Sequence, residues 1–272
     1  MKTSNHLLRR LTAALLAAVL ALSIALPVFA SDDGDTIYIN SVSDLLSLAG
    51  SCAYDQWSVG KTVVLQKDLS LEGMLWEPIP SFSGQFKGNG HTISDLTITG
   101  EYSPAGLFGI VEEQGSIESL SVRGVVSVSD SADTTTGGIV GINHGTLISC
   151  QFTGVVTGDS EVGGIVGRNE SEGTIDHSTA RAVVTGKSST GGIAGYNLGA
   201  ITGCTNVGSI NTEYQEASLD TDGFTAKMVD YLNNRMSTAD NDTANSVTNV
   251  ATDTGGIAGR SSGMILTSVN TG

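Results

Sequence analysis

The stretch EVGGIVGRNESEG, residues 161–173, sets Gly163, Gly164 and Gly167 around a short aliphatic pair. Clustered glycines let backbone N–H groups close on a phosphate, so nucleotide binding is the first chemistry to weigh. The pattern G-G-x-x-G fits neither G-x-G-x-x-G nor a loop ending in Lys-Ser/Thr, and no long helix follows it. Asp176, His177 and Ser178 have the composition of a nucleophilic triad, yet successive residues of a strand face opposite sides and cannot converge. The metallopeptidase pattern H-E-x-x-H is absent, and His91 and His144 fall at turns. SDDGD and DTDG lack the alternating oxygen ligands of a calcium loop. No catalytic, cofactor or metal-binding residue is expected, and the chain reads as a non-enzyme.

The elements that carry the glycines explain them better. The cluster recurs as TGGIVG, VGGIVG, TGGIAG and TGGIAG, with a divergent AGLFG before them. The second glycines are Gly106, Gly138, Gly164, Gly192 and Gly256, spaced by 32, 26, 28 and 64 residues. Periods of 20–50 residues mark stacked repeats, and a phosphate site is not needed four times. Each unit reads as two short strands around a glycine-rich bend, followed by a third strand such as ARAVVTG. Such units bury a core only by stacking, at about 4.8 Å per coil. The glycines then supply left-handed or tightly packed corners.

The columns agree. Ile139, Ile165, Ile193 and Ile257 read as inward; Ile142, Arg168, Tyr196 and Arg260 read as outward. Asn143, Asn169 and Asn197, followed by Ser261, read as a polar ladder at a turn. The structural repeat positions are therefore Gly138, Gly141 and Asn143; Gly164, Gly167 and Asn169; Gly192, Gly195 and Asn197; and Gly256 with Gly259. Cys150 and Cys204 share a column with Leu120, Ser178 and Ser268. Two coils apart, or about 9.6 Å, they are beyond disulfide reach and read as column fillers. Cys52 stands alone near the start of the repeats.

GGIVGINHGTLISC and GGIAGYNLGAITGC resemble the GLUG motif of bacterial secreted and surface proteins, and 63–111 is similar to the leading coils of that family. The resemblance covers roughly 36–211 and 254–272. It implies an all-β chain, a right-handed parallel β-helix (β-solenoid). It implies little chemistry: GLUG repeats occur in adhesin-like proteins and beside catalytic domains of immunoglobulin-A-cleaving metallopeptidases, and no catalytic residue set belongs to the motif.

Residues 1–30 carry Lys2, Arg9 and Arg10, then an apolar run ending in PVFA, which reads as a signal peptide cleaved after Ala30. Without them, ten basic residues face 28 acidic ones, a balance that repels nucleic acid and anionic lipid. Residues 31–272 read as one solenoid domain: cap and leading coils at 36–104, GLUG-type repeats at 105–211, an insertion at 212–253 and a last partial repeat at 254–272. NSVSDLLSLAG (40–50) predicts a short capping helix, with Ser41 and Asp44 as its capping pair and Leu45, Leu48 and Ala49 as its apolar face. DGFTAKMVDYLNNRM (222–236) predicts an amphipathic helix within the insertion.

The function expected is a non-catalytic secreted or surface scaffold, adhesin-like or ligand-presenting; the alternatives are a piece of a glycan-active enzyme or surface peptidase, or a spacer. Its partner is unknown, with host or cell-envelope protein or glycan the candidates. No nucleic acid, and no membrane after cleavage, is expected. The C-terminal coil is expected to stack on further repeats or another chain. The turn at Glu170–Glu172, two residues longer than its counterparts, is the most protruding and the best contact candidate.

Overall fold

The computed structural model describes residues 35–54, 56–128, 134–211 and 252–272. The signal peptide with its cleavage at Ala30, and the helix expected at 222–236, lie outside the described residues. The described residues form an all-β parallel solenoid of about 6 turns with one short helix.

Four parallel sheets form its sides. Thr36–Ile39 begins an eight-stranded sheet that ends at Met264–Leu266. A six-stranded sheet runs from Ile79–Phe82 to Ala258–Ser261, and a seven-stranded sheet from Leu69–Ser70 to Val269–Asn270. The fourth sheet has four strands: Thr136–Gly137, Ser160–Gly163, Ser188–Gly191 and Thr252–Gly255. This last sheet is the side that sequence periodicity misses. Its strands are two to four residues, mostly Ser, Thr and Gly, too short and too polar for an alternation signal.

Register holds from coil to coil, apart from one bulge between Ile93 and Leu96. In the eight-stranded sheet Ile37, Val63, Phe86, Ile117, Leu147, Ile175, Ile201 and Ile265 lie one above another. Every member but the first and last is fully buried. In the leading coils Phe82, Phe86 and Phe108 fill the interior, with ring centroids 5.3–6.3 Å apart. Trp76 is buried beside them and donates its indole N–H to the carbonyl of Leu107 at 3.1 Å. Later coils narrow: the column Ile79, Phe108, Val140, Val166, Ala194, Ala258 loses volume toward the C-terminus.

Helix α1 (Val42–Ser51) closes the N-terminal end. Ser41 Oγ accepts the amide of Asp44 at 3.2 Å, and Asp44 Oδ2 accepts the amide of Asn40 at 2.9 Å, a reciprocal cap. Leu45 and Leu48 are fully buried, and the helix packs on Thr36–Ile39 and Ile79–Phe82, the first strands of two sheets. A helix across those strand ends covers backbone edges that would otherwise template aggregation.

Candidate functional site

The glycine corner joins the four-stranded sheet to the six-stranded one. None of the recurring glycines has a positive φ, so left-handed freedom is not their purpose. Space is. A Cβ on Gly164 would overlap the carbonyl oxygen of Gly192 in the next coil and lie 2.9 Å from Ala180 Cβ. On Gly138 it would meet the Phe152 ring, and on Gly192 and Gly256 the side chains of Asn206 and Asn270. The last glycine of each cluster faces the preceding coil: a Cβ on Gly141 would meet Pro104, on Gly167 Thr136, on Gly195 Glu161 and on Gly259 Thr190. These atoms are already in contact with protein, so no ligand can approach them.

The left-handed corners are elsewhere and mostly lack glycine. Ser119, Ser149, His177, Gly203 and Thr267 form one column of positive φ, between the eight- and seven-stranded sheets. Glu161, Ser189 and Asp253 form a second, within the four-stranded sheet. The stacked neighbours fix the bend whatever residue occupies it.

Asn143, Asn169 and Asn197 end their strands and point inward, fully buried, rather than lying in the turn. Each side-chain amide donates to the next oxygen: Asn143 to Asn169 at 2.8 Å, Asn169 to Asn197 at 2.8 Å and Asn197 to Ser261 Oγ at 3.2 Å. They also donate to the turn carbonyls of Gly145, Gly173 and Gly199. The same column holds Phe82 and Val111 in the leading coils, so Asn143 Oδ1 has no donor above it and is unpaired. A second ladder, missed by sequence reasoning, joins Asn206 to Asn270 at 2.7 Å in the seven-stranded sheet. Its only sequence signal is an asparagine two residues after Cys204 and again after Ser268.

The sulfur column is structural. Cys52, Cys150 and Cys204 are free and buried. Burial pushes the thiols of Cys52 and Cys150 up to about 12 and that of Cys204 to about 11. Ser178 between them donates to the carbonyl of Asp176 and accepts the amide of Cys150 at 3.1 Å. Thiols held protonated and buried do not attack electrophiles. A thiol pKa raised above its ordinary 9.0 contributes stability below pH 9.0 that is lost as pH rises toward the folded value. Urea titrations should therefore show stability falling as pH rises from 9.0 toward about 11. A Cys52→Ala, Cys150→Ala, Cys204→Ala variant should show a shallower fall; an equal slope would place its cause elsewhere.

The triad-like residues part at a corner, where His177 lies just past its strand at positive φ, and not by strand alternation. His177 Nδ1 pairs with Asp176 Oδ1 at 2.8 Å on the outside, while Ser178 is fully buried. His91 pairs with Asp68 at 3.1 Å, and hydrogen bonds from the Thr92 amide and from His91 hold that carboxyl below its usual range. A polar cleft of about 450 Å³ gathers Ser81, Glu112, Glu113 and His144. Among the described residues no cluster of three His, Cys, Asp or Glu is placed to hold a metal ion.

What remains for function is the outside. The outward column Ile142, Arg168, Tyr196, Arg260 is stacked, with guanidinium carbons 5.2 Å and 5.4 Å from the Tyr196 ring. Arg168 also binds Glu161 at 2.9 Å and Glu170 at 2.6 Å. This ties down one end of the long turn, leaving Ser171 and Glu172 exposed. Ser171 Oγ donates to Glu172, which lowers the Glu172 carboxyl below its usual range.

Comparison with known proteins agrees with this architecture. The family model "The GLUG motif" matches residues 158–185, which bears out the resemblance carried by the repeats. Halomucin of Haloquadratum walsbyi is 31% identical over 155 residues, covering 52% of this chain and 2% of halomucin. The "Putative Gly-rich membrane protein" of Evansella cellulosilytica is 29% identical over 137 residues, 36% of this chain and 16% of that protein. The chain thus spans a small part of either relative. Among solved structures, a "putative immunoglobulin A1 protease" from Bacteroides ovatus aligns with a TM-score of 0.50 at 20% identity. That alignment covers 66% of this chain and 63% of the other, and it shows a shared fold. Among the described residues no helix is long and apolar enough to cross a membrane.

Proposed function

We propose that the chain is a non-catalytic, exported repeat scaffold that displays its lateral β-faces to a ligand at the bacterial cell surface. The observation that carries this reading is how the side chains divide. The recurring glycines and asparagines are occupied in coil-to-coil contact, while the outward columns run as continuous ladders open to solvent. Parallel stacking sets those ladders at one residue per coil, a geometry suited to a long repetitive partner. Residues 31–272 act as a single unit in this reading, with the leader 1–30 removed after Ala30. Similarity to halomucin and to a Gly-rich membrane protein supports a place at the envelope or beyond it.

The test is a parallel screen of the chain lacking 1–30 on immobilised glycans and cell-envelope extracts, with the same material assayed for product release from polysaccharides and proteins. Retention of a ligand without turnover is the expected result. Turnover abolished by substituting one outer-face carboxylate would make the chain an enzyme, and absence of any retained ligand would remove the display role.

A further inference from the structure

The seven-stranded sheet has an unusual outer face. Its three central strands, Ser121–Val128, Gln151–Thr157 and Thr179–Thr185, contain no carboxylate, in a chain with 28 acidic residues. Strand alternation turns four residues of each outward, and the register stacks them in four columns. Ser121, Gln151 and Thr179 form the first; Arg123, Thr153 and Arg181 the second. Val125, Val155 and Val183 form the third, and Ser127, Thr157 and Thr185 the fourth. The valines are 39%, 36% and 45% exposed, so an apolar stripe lies open between the arginine-bearing column and a column of hydroxyls. Arg123 and Arg181 are exposed, and neither makes an ion pair among the described residues. Asp68 and Asp95 stand at the margin, already engaged with His91 and Thr92 and with Ser70 and Ser94.

We propose that this face binds an extended acidic polysaccharide lying along the solenoid axis, with a carboxylate or sulfate on alternate sugars. The inference rests on the display reading above and names its face and ligand class. Two guanidiniums recur every second coil, about 9.6 Å apart, with Thr153 between them. An extended sugar chain advances by roughly one ring per coil rise, so Arg123 and Arg181 meet the charged sugars and Thr153 the neutral one between them. Arginine's planar fork matches a carboxylate or sulfate with paired donors. The Ser and Thr columns exchange hydrogen bonds with ring hydroxyls, and the valine stripe takes the apolar C–H face of the sugars. The three strands themselves carry no carboxylate to repel the ligand; Asp68 at the margin lies within reach of Arg123's charge, and salt screens the acidic remainder of the chain beyond about 8 Å. Nucleic acid fits poorly. Its phosphate density calls for more than two cations, and these three strands present no outward aromatic residue on which bases could stack.

The test is binding of the full chain to hyaluronan (carboxylate on alternate sugars), chondroitin sulfate (sulfate added), polygalacturonate (carboxylate on every sugar), dextran and single-stranded DNA. Hyaluronan or chondroitin sulfate should bind at least tenfold tighter than dextran or DNA, and their ratio separates carboxylate from sulfate recognition. An Arg123→Ala, Arg181→Ala double variant should lose tenfold or more while keeping its circular dichroism and melting temperature, since both side chains are exposed. Arg123→Lys, Arg181→Lys should recover part of the loss. Equal binding to polygalacturonate would overturn the alternate-charge match. Indifference to the double variant, or preference for dextran or DNA, would overturn the face. If the double variant binds normally to another retained ligand, the display reading stands and only this assignment falls.

Discussion

Gly164→Val is expected to lower the free energy of unfolding by about 3 kcal/mol or more, and to shift much of the protein into aggregates. The collision is with backbone: the added Cβ overlaps the carbonyl of Gly192 in the next coil, and that carbonyl is fixed by the register on either side of it. A flexible side chain could turn away; a stacked strand cannot. Relief requires two coils to separate, which breaks the parallel ladder and exposes the strand edges that aggregation exploits. Gly50→Ala is the control. Gly50 lies in the last turn of α1 with nothing within 4 Å of its added Cβ, and alanine there should stabilise by up to about 1 kcal/mol. Urea unfolding of the two variants measures both effects. A Gly164→Val protein as stable as the parent would mean that the coils are not stacked this closely.

Asn169→Leu should cost about 3 kcal/mol, and Asn143→Val about 1 kcal/mol. The two residues look alike in sequence, but they differ in their place in the ladder. Asn169 accepts from Asn143 and donates to Asn197 and to the Gly173 carbonyl, so its loss leaves buried groups on both sides without partners. Asn143 stands at the top, beneath Val111, with its oxygen already unpaired. Removing it moves the unpaired oxygen one coil down, to Asn169, instead of creating a second one. The triple Asn143→Val, Asn169→Val, Asn197→Val variant should cost less than the sum of its single changes, because the ladder vanishes together with its partners. Additive losses in a urea-unfolding cycle would contradict a coupled ladder.

Much of this architecture was legible in the sequence because stacking repeats the same demand once per coil. Ile139, Ile165 and Ile193 recur in one column and are fully buried; Ser41 and Asp44 spell a helix start and form one. The reasons behind some positions were less legible. Glycine in a repeat suggests a left-handed corner, yet the recurring pairs are there because neighbouring coils leave no room for a Cβ. The corners that do turn left-handed carry Ser119, Ser149 and His177, and not the Gly or Asn that marks such a corner in sequence, since tertiary contacts fix that bend. The Asn206–Asn270 pair has two members separated by 64 residues, too few to announce a column. The carboxylate-free face emerges only when three strands 28–30 residues apart are laid side by side.

The central claim is that recurring residues hold the coils together and outward columns meet the ligand. Backbone amide chemical-shift mapping of the chain, with a retained glycan added stepwise, tests it most directly. Amides along 121–128, 151–157 and 179–185 should be perturbed, with the glycine corners at 137–141, 163–167 and 191–195 unmoved. Perturbations concentrated at those corners would contradict the claim and return the glycine cluster to the role of a binding loop.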